Sequence, residues 1–217
     1  MSERRPTATA PLTSGWQDWL RVREYLQRHR HRLGQEAAGE YPDALQVGGT
    51  ALLTRPQWLP AAPLPLDVID LAFTPDTPFT GVTGTDPVTA AVRPRRPDGS
   101  RYPTYSAAMA DLAAPAVFAD RPTYRLLDAD LSGPRGRLTF GRGRYFDGID
   151  VGESAAHEYA AAQLDGTPTP LRAAIGDPCD PARRPTNIAI SALTIRHHRG
   201  TADARFLLHW RDPAKVG

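Results

Sequence analysis

Lysine is almost absent from this chain. Lys215 is the sole example among 26 Lys and Arg residues, so arginine carries the positive charge. A lysine-poor chain rich in alanine and proline is what a GC-rich coding sequence writes, and the arginine excess alone names no function. Arginine still differs from lysine wherever it meets a phosphate, because its planar fork offers two parallel donors. Cysteine is equally scarce. A single Cys179 excludes a disulfide framework and a thiolate metal cluster. It lies in Asp177-Pro178-Cys179-Asp180-Pro181, where neighbouring carboxylates disfavour the thiolate, so a structural role is expected.

Long apolar runs are missing too. No stretch approaches the ~18 apolar residues of a membrane span, and Met1 to Ser14 lacks the apolar segment of a secretory signal. A cytoplasmic location away from membranes is expected. Strong net charge is also lacking: +2 overall argues against a dedicated nucleic-acid binder, whose affinity rests on neutralising phosphates. No serine sits in a strand-turn-helix nucleophile elbow, which leaves acyl transfer without a foothold.

What the chain does have is enough apolar content, 41% over 217 residues, to build a real core as one large domain or two small ones. Residues 1–13 are polar and rich in Pro and Thr, and read as a disordered tail; 14–217 read as a single α+β domain with a sub-boundary near 74–103. Ser14 is placed to cap a helix. Trp16, Trp19, Val22, Leu26, His29 and Leu33 recur at steps of three and four, marking one apolar stripe. Gly34 and Gly39 offer stopping points. Arg21, Arg28, Arg30 and Arg32, with His31, lie on the other face and read as a solvated charge run. Helix-turn-helix binding would need a recognition helix a short turn later. The chain runs instead into Tyr41-Pro42 and then Val47 to Leu53, a strand or a loop.

Further along, Pro65 to Phe73 reads as extended. Residues 74–103 form a long proline-rich connection, in which Val92 to Arg101 is a basic turn with an Asp98-Gly99 hairpin signal. Thr104 caps a short helix over Tyr105 to Leu112, and Tyr124 to Leu131 reads as a strand. Two short strands, Arg137 to Phe140 and Arg144 to Phe146, flank Gly141-Arg142-Gly143. Val151 to Leu164 is a helix, packing through Ala155, Ala156, Tyr159, Ala160 and Leu164 and ended by Gly166 to Pro170. The chain closes on a β-hairpin, with Ile188, Ile190, Leu193 and Ile195 in one strand, a turn at His197 to Thr201, and Phe206 to Trp210 returning. A lone hairpin is marginal in water, so it must belong to a larger sheet.

The densest polar grouping is Arg142, Arg144, Asp147, Asp150, Glu153 and His157, followed by Glu158. Glu153 and His157 are four apart on one helix and share a face, with Asp150 at its entry. These six are the candidate ligand-binding residues. A zinc helix needs a second histidine at this spacing, and the acids also suit a helix N-terminus electrostatically. Gly141-Arg142-Gly143-Arg144 lacks the lysine and hydroxyl of a P-loop and the third glycine of a dinucleotide fingerprint. No metal or cofactor is expected.

Four segments carry a resemblance: Phe206 to Gly217, Pro178 to Pro185, Tyr124 to Leu131 and Phe140 to Asp147. They resemble a group of actinobacterial proteins labelled transcriptional regulators, whose later portion is similar to a Nudix domain. The likeness runs over most of the chain from Trp16 onward. It implies a mixed sheet related to an incomplete Nudix-like core and a regulatory role. In Nudix-like proteins a glutamate-rich helix holds magnesium. The one similar run here, His157-Glu158-Tyr159-Ala160-Ala161-Ala162, has alanine where the metal-binding glutamates belong, and a hard divalent cation finds no oxygen cage there.

The expectation is therefore an α+β protein acting as a non-catalytic regulatory or ligand-sensing module, its arginines recognising a nucleotide-like or phosphorylated small molecule. One alternative is a Nudix-like phosphohydrolase completed by further C-terminal sequence or a partner chain. Another is a protein–protein interaction module that self-associates or pairs through the edge of the C-terminal hairpin.

Overall fold

The computed structural model describes residues 15–114, 118–189, 195–197 and 204–206. The expected tail, the Ser14 cap and most of the closing hairpin lie outside the described residues. Within them the chain is α+β: helices gather on a long N-terminal helix, and a small mixed sheet stands to one side.

Helix α1 spans Trp16–Gly39, 24 residues, and runs straight through Gly34. Its apolar stripe buries Trp19, Val22, Leu33 and Ala38. The opposite face is laced with charge pairs, Arg28 to Glu24 and Arg32 to Glu36 at i,i+4, and Arg21 to Asp165 across to another helix. The charge run is a solvated face, as its pattern indicated.

A loop follows, closed by a bridge between Gln46 and Leu53. A 3₁₀ turn over Leu66–Val68 then leads into strand β1, Ile69–Phe73, so only the second half of the expected extended stretch is strand. The proline-rich connection is packed, with Thr89, Val92 and Tyr102 buried, and its Asp98-Gly99 turn closes a bridge between Arg95 and Arg101. Helix α2, Tyr105–Ala113, starts where Thr104 accepts the Ala107 N–H at 3.1 Å.

Strand β2 is Pro122–Asp130 and β3 is Gly136–Arg144. The sheet order is β1-β3-β2, with β1 parallel to β3 (Leu71 opposite Leu138) and β2 antiparallel to it (Leu126 opposite Phe140). Here one expectation fails. The two short strands around Gly141-Gly143 are a single strand, and the glycines lie inside it. A Cβ on Gly141 would come 3.1 Å from Leu127, and one on Gly143 3.3 Å from Arg125; they mark close approach of β2, not a turn. Arg125, 5% exposed, donates to the Arg142 carbonyl at 3.0 Å and reaches Thr77 O, pinning the sheet to the loop before it. Leu71, Phe73 and Tyr124 stay exposed.

From Tyr145 the chain is helical to Asp165, earlier than its pattern suggested. Helix α3 (Tyr145–Gly148) leads through a π turn at Ile149–Glu153 into α4, Ser154–Asp165. Gly166, with φ +67, ends α4 in the left-handed conformation glycine favours. Helix α5 is Pro170–Ile175. A two-stranded hairpin, β4 (Ile195–His197) against β5 (Ala204–Phe206), pairs Ile195 with Phe206. The principal core joins Trp19, Val92, Tyr102, Tyr105, Val151 and Leu171. Among the described residues no helix is long and apolar enough to cross a membrane.

Candidate functional site

The six residues singled out by sequence do not converge. Arg142 and Arg144 are exposed at the end of β3; Arg144 pairs with Asp120, and its N–H donates to Asp147 at 2.8 Å. That makes Asp147 a helix cap. Asp150, 7% exposed, accepts the Ser106 N–H at 2.6 Å and so ties the π turn to the start of α2. Burial raises its pKa, and the Ser106 contacts pull the other way. Gly84 is crowded onto this carboxylate, since a Cβ there would sit 2.5 Å from the Asp150 Cβ.

His157 is part of a buried polar stack. Arg23 donates to the Tyr105 hydroxyl at 2.6 Å, and that hydroxyl lies 3.2 Å from His157 Nδ1. Because Arg23 can only donate, the Tyr105 hydroxyl accepts from it, and the same hydroxyl is shared with the His157 ring nitrogen. Trp19 stacks on the imidazole at 5.9 Å and Arg23 lies over the Trp19 ring at 5.1 Å. Burial first, then the Arg23 charge, push the His157 pKa down to about 3; burial likewise raises that of Tyr105. Glu158, missed as a buried residue, accepts the Leu171 and Arg172 N–H groups at 2.9 and 2.8 Å. It caps α5, which accounts for a carboxylate only 2% exposed.

Glu153 alone of the six borders a larger open space, a cavity of about 460 Å³ between α1, the 41–53 loop, the π turn, α5 and the loop at 178–184. Small residues create it: Gly34, Ala37 and Ala38 on α1 face Ala155 and Ala156 on α4. Leu26, Leu33, Leu53 and Ile175 complete apolar walls. Its size lies within the ~300–1,000 Å³ usual for ligand pockets.

Three arginines reach this cavity. Arg172 is engaged: it bonds Glu40 at 2.8 Å and lies 4.5 Å over the Tyr159 ring. Arg30 is exposed, at the rim. Arg184 is different. Among the described residues its side chain forms no ion pair, and its buried Nε has no hydrogen-bond partner. Burial lowers its pKa, opposed only by the Cys179 thiol and the Tyr41 phenol, neither charged at neutral pH. A guanidinium partly shut off from water without an anion costs stability. The π turn brings its backbone to the same place: a methyl on Gly152 would lie 3.9 Å from Arg184 Nη2. Such one-turn bulges in helices gather at functional sites.

Arg184 was not singled out from sequence. It lies in Pro178 to Pro185, which reads as a turn, beside an Arg183 that caps the Ala174 carbonyl at 2.9 Å; nothing local distinguishes the two. Cys179 is buried and free, its pKa raised by burial and by Asp177. Among the described residues no group of three or more His, Cys, Asp or Glu could hold a metal ion. No protein-family model matches the chain, and comparison with curated proteins and with solved structures returns no significant match.

Proposed function

We propose that this chain is a non-catalytic regulatory or ligand-sensing module acting in the cytoplasm, and that the cavity beside the π turn holds its ligand, a small molecule with an anionic head. The observation that carries this reading is Arg184, a largely buried guanidinium in an apolar-walled cavity that forms no ion pair among the described residues. Phosphate and carboxylate are the groups a guanidinium binds through paired donors. A nucleotide-like or phosphorylated molecule is the class the family resemblance raises.

The non-catalytic part rests on the occupation of the other polar side chains. His157 is held neutral within its stack, Glu158 caps α5 and Asp150 holds α2. None of the three is free to move a proton for a substrate. Thermal-shift measurement with nucleotides, sugar phosphates and small carboxylates tests the reading. Ligand at ~100 times its Kd stabilises by about 2.7 kcal/mol, and Arg184→Gln is expected to remove the shift. Magnesium-dependent phosphate release from a nucleotide by the chain alone would overturn it in favour of a phosphohydrolase.

A further inference from the structure

Among the described residues the small sheet is guarded at one edge and open at the other. Outside β2, the Leu126 N–H donates to the Thr186 carbonyl at 2.8 Å and the Ile188 N–H to that of Tyr124 at 3.2 Å, with Arg125 bridged to Asn187. Outside β1, no backbone bond is made among the described residues. The Thr74 N–H donates to the Phe140 carbonyl at 2.8 Å. Asp70 and Ala72 therefore direct their backbone groups to β3, while Ile69, Leu71 and Phe73 turn theirs outward. Leu71 is 71% exposed and Phe73 50%, on one face of the sheet. The strand lacks the usual protections of an edge. It has no lysine, no proline and no bulge, and its one charge, Asp70, is held by Arg135 at 3.3 Å.

We infer that this edge is an interface between two copies of the chain, β1 pairing antiparallel with β1 of a second copy about a two-fold axis at Leu71. The strand is complementary to itself in that register. Leu71 meets Leu71, Ile69 meets Phe73, and each outward residue exchanges both of its backbone groups. Asp70 faces Ala72 of the second copy and keeps its own Arg135. Moving the axis to residue 70 would set Asp70 against Asp70, a destabilising like-charge pair. Moving it to residue 72 would leave Ile69 unpaired. Charge and backbone thus select one register, and a two-fold contact of this kind closes at a dimer. The two sheets join through their β1 edges, and the apolar row of Leu71 and Phe73 continues across the seam. Five residues a side are few beside the ~20–30 of a standard interface, so the association is weak and reversible.

Sedimentation velocity on the full chain, from micromolar to millimolar concentration, tests this. The wild type is expected to pass from monomer to dimer and no further. Leu71→Lys places two like charges on the axis and should weaken dimerisation by about tenfold or more, and Leu71→Glu should do the same. Both should keep the wild-type circular dichroism, because Leu71 is exposed in the monomer. Mixing the two variants should restore a dimer, since opposite charges then meet on the axis; a folding defect would not be repaired this way. On oxidation Leu71→Cys should cross-link to itself, Cys179 being buried. Asp70→Cys, displaced from its copy by two residues, should not. A wild type that stays monomeric throughout overturns the inference, as does a dimer indifferent to Leu71→Lys or a mixture of the charged variants that stays monomeric. Faster cross-linking through Asp70→Cys than through Leu71→Cys overturns it too. Any thermal shift given by an anion should be the same in Leu71→Lys as in the wild type, so this inference and the sensing role fail separately.

Discussion

Helix α4 has two sides that treat charge in opposite ways. On one side it presents His157 toward Trp19 and Tyr105 and Glu158 toward the start of α5, and each has a structural partner: a hydroxyl for one, two backbone N–H groups for the other. The polar atoms left unpaired there, Trp19 Nε1 and Ser154 Oγ, are neutral. Toward the cavity it presents Ala155, Ala156 and Tyr159, and of the charges bordering that space only Arg172 forms an ion pair among the described residues, while Arg30, Glu153 and Arg184 form none. The difference teaches how to weigh a polar residue. Satisfied burial is architecture, whereas an unsatisfied charge beside empty space marks where something else belongs.

The sharpest way to break the comparison is to disrupt the satisfied side. Trp19→Ala removes a fully buried ring and is expected to cost roughly 3–5 kcal/mol in chemical denaturation. A cost below about 1 kcal/mol would mean that α1 is not docked as described.

Acid attacks the same side. His157 has a folded pKa of about 3 against 6.5 for the free side chain. Between those values the unfolded chain binds the proton and the folded chain does not. Stability is therefore whole above pH 6.5 and falls as pH drops through that window, by about 1.4 kcal/mol per unit at most. Asp150 and Glu158 have raised pKa values and slope the other way. The contribution of His157 is isolated by subtraction: His157→Gln, which keeps an acceptor for Tyr105, should flatten the acid limb of the stability curve. An unchanged limb would remove the buried neutral imidazole from the account.

On the cavity side the sign reverses. Arg184→Met replaces a largely buried charge, unpaired among the described residues, by an apolar chain, and should raise the stability of the ligand-free protein by up to about 1 kcal/mol while ending anion binding. A loss of more than 1 kcal/mol would show that Arg184 serves the fold and not a ligand.

The architecture was legible where local chemistry decides it. The Trp16 to Leu33 stripe, the Thr104 cap and the Gly166 stop are each written in a few adjacent residues, and each is in place. Two features depended on distant neighbours. Gly141 and Gly143 look like turn residues until Leu127 and Arg125 of the next strand are seen against them. The π turn likewise has no signature in Ile149 to Glu153; one extra residue is wedged between an Asp150 tied to α2 and an α4 packed on α1. The candidate site divides the same way. Glu153 was found through its charge, but its spacing with His157 suggested a shared site, and the two serve different spaces. Arg184 comes from another part of the chain, and only tertiary structure shows that Arg183 turns away while Arg184 turns in.

The smallest expected effect tests whether the cavity is kept open deliberately. Gly34 sits within α1, where glycine costs about 0.5–1 kcal/mol relative to alanine, and it has no positive φ to explain its presence. A Cβ added there would lie 3.5 Å from the Ala51 Cβ, an ordinary contact, so neither backbone nor packing forbids alanine. Gly34→Ala should therefore stabilise the protein by a fraction of a kcal/mol. The same methyl projects into the cavity wall and should weaken an apolar ligand severalfold. Stabilisation with unaltered binding of the anion that gives the thermal shift would show that the ligand's body lies elsewhere along the cavity. Destabilisation would mean that α1 and the Ala51 loop approach more closely than 3.5 Å implies, and that the small residues are there for packing and not for space.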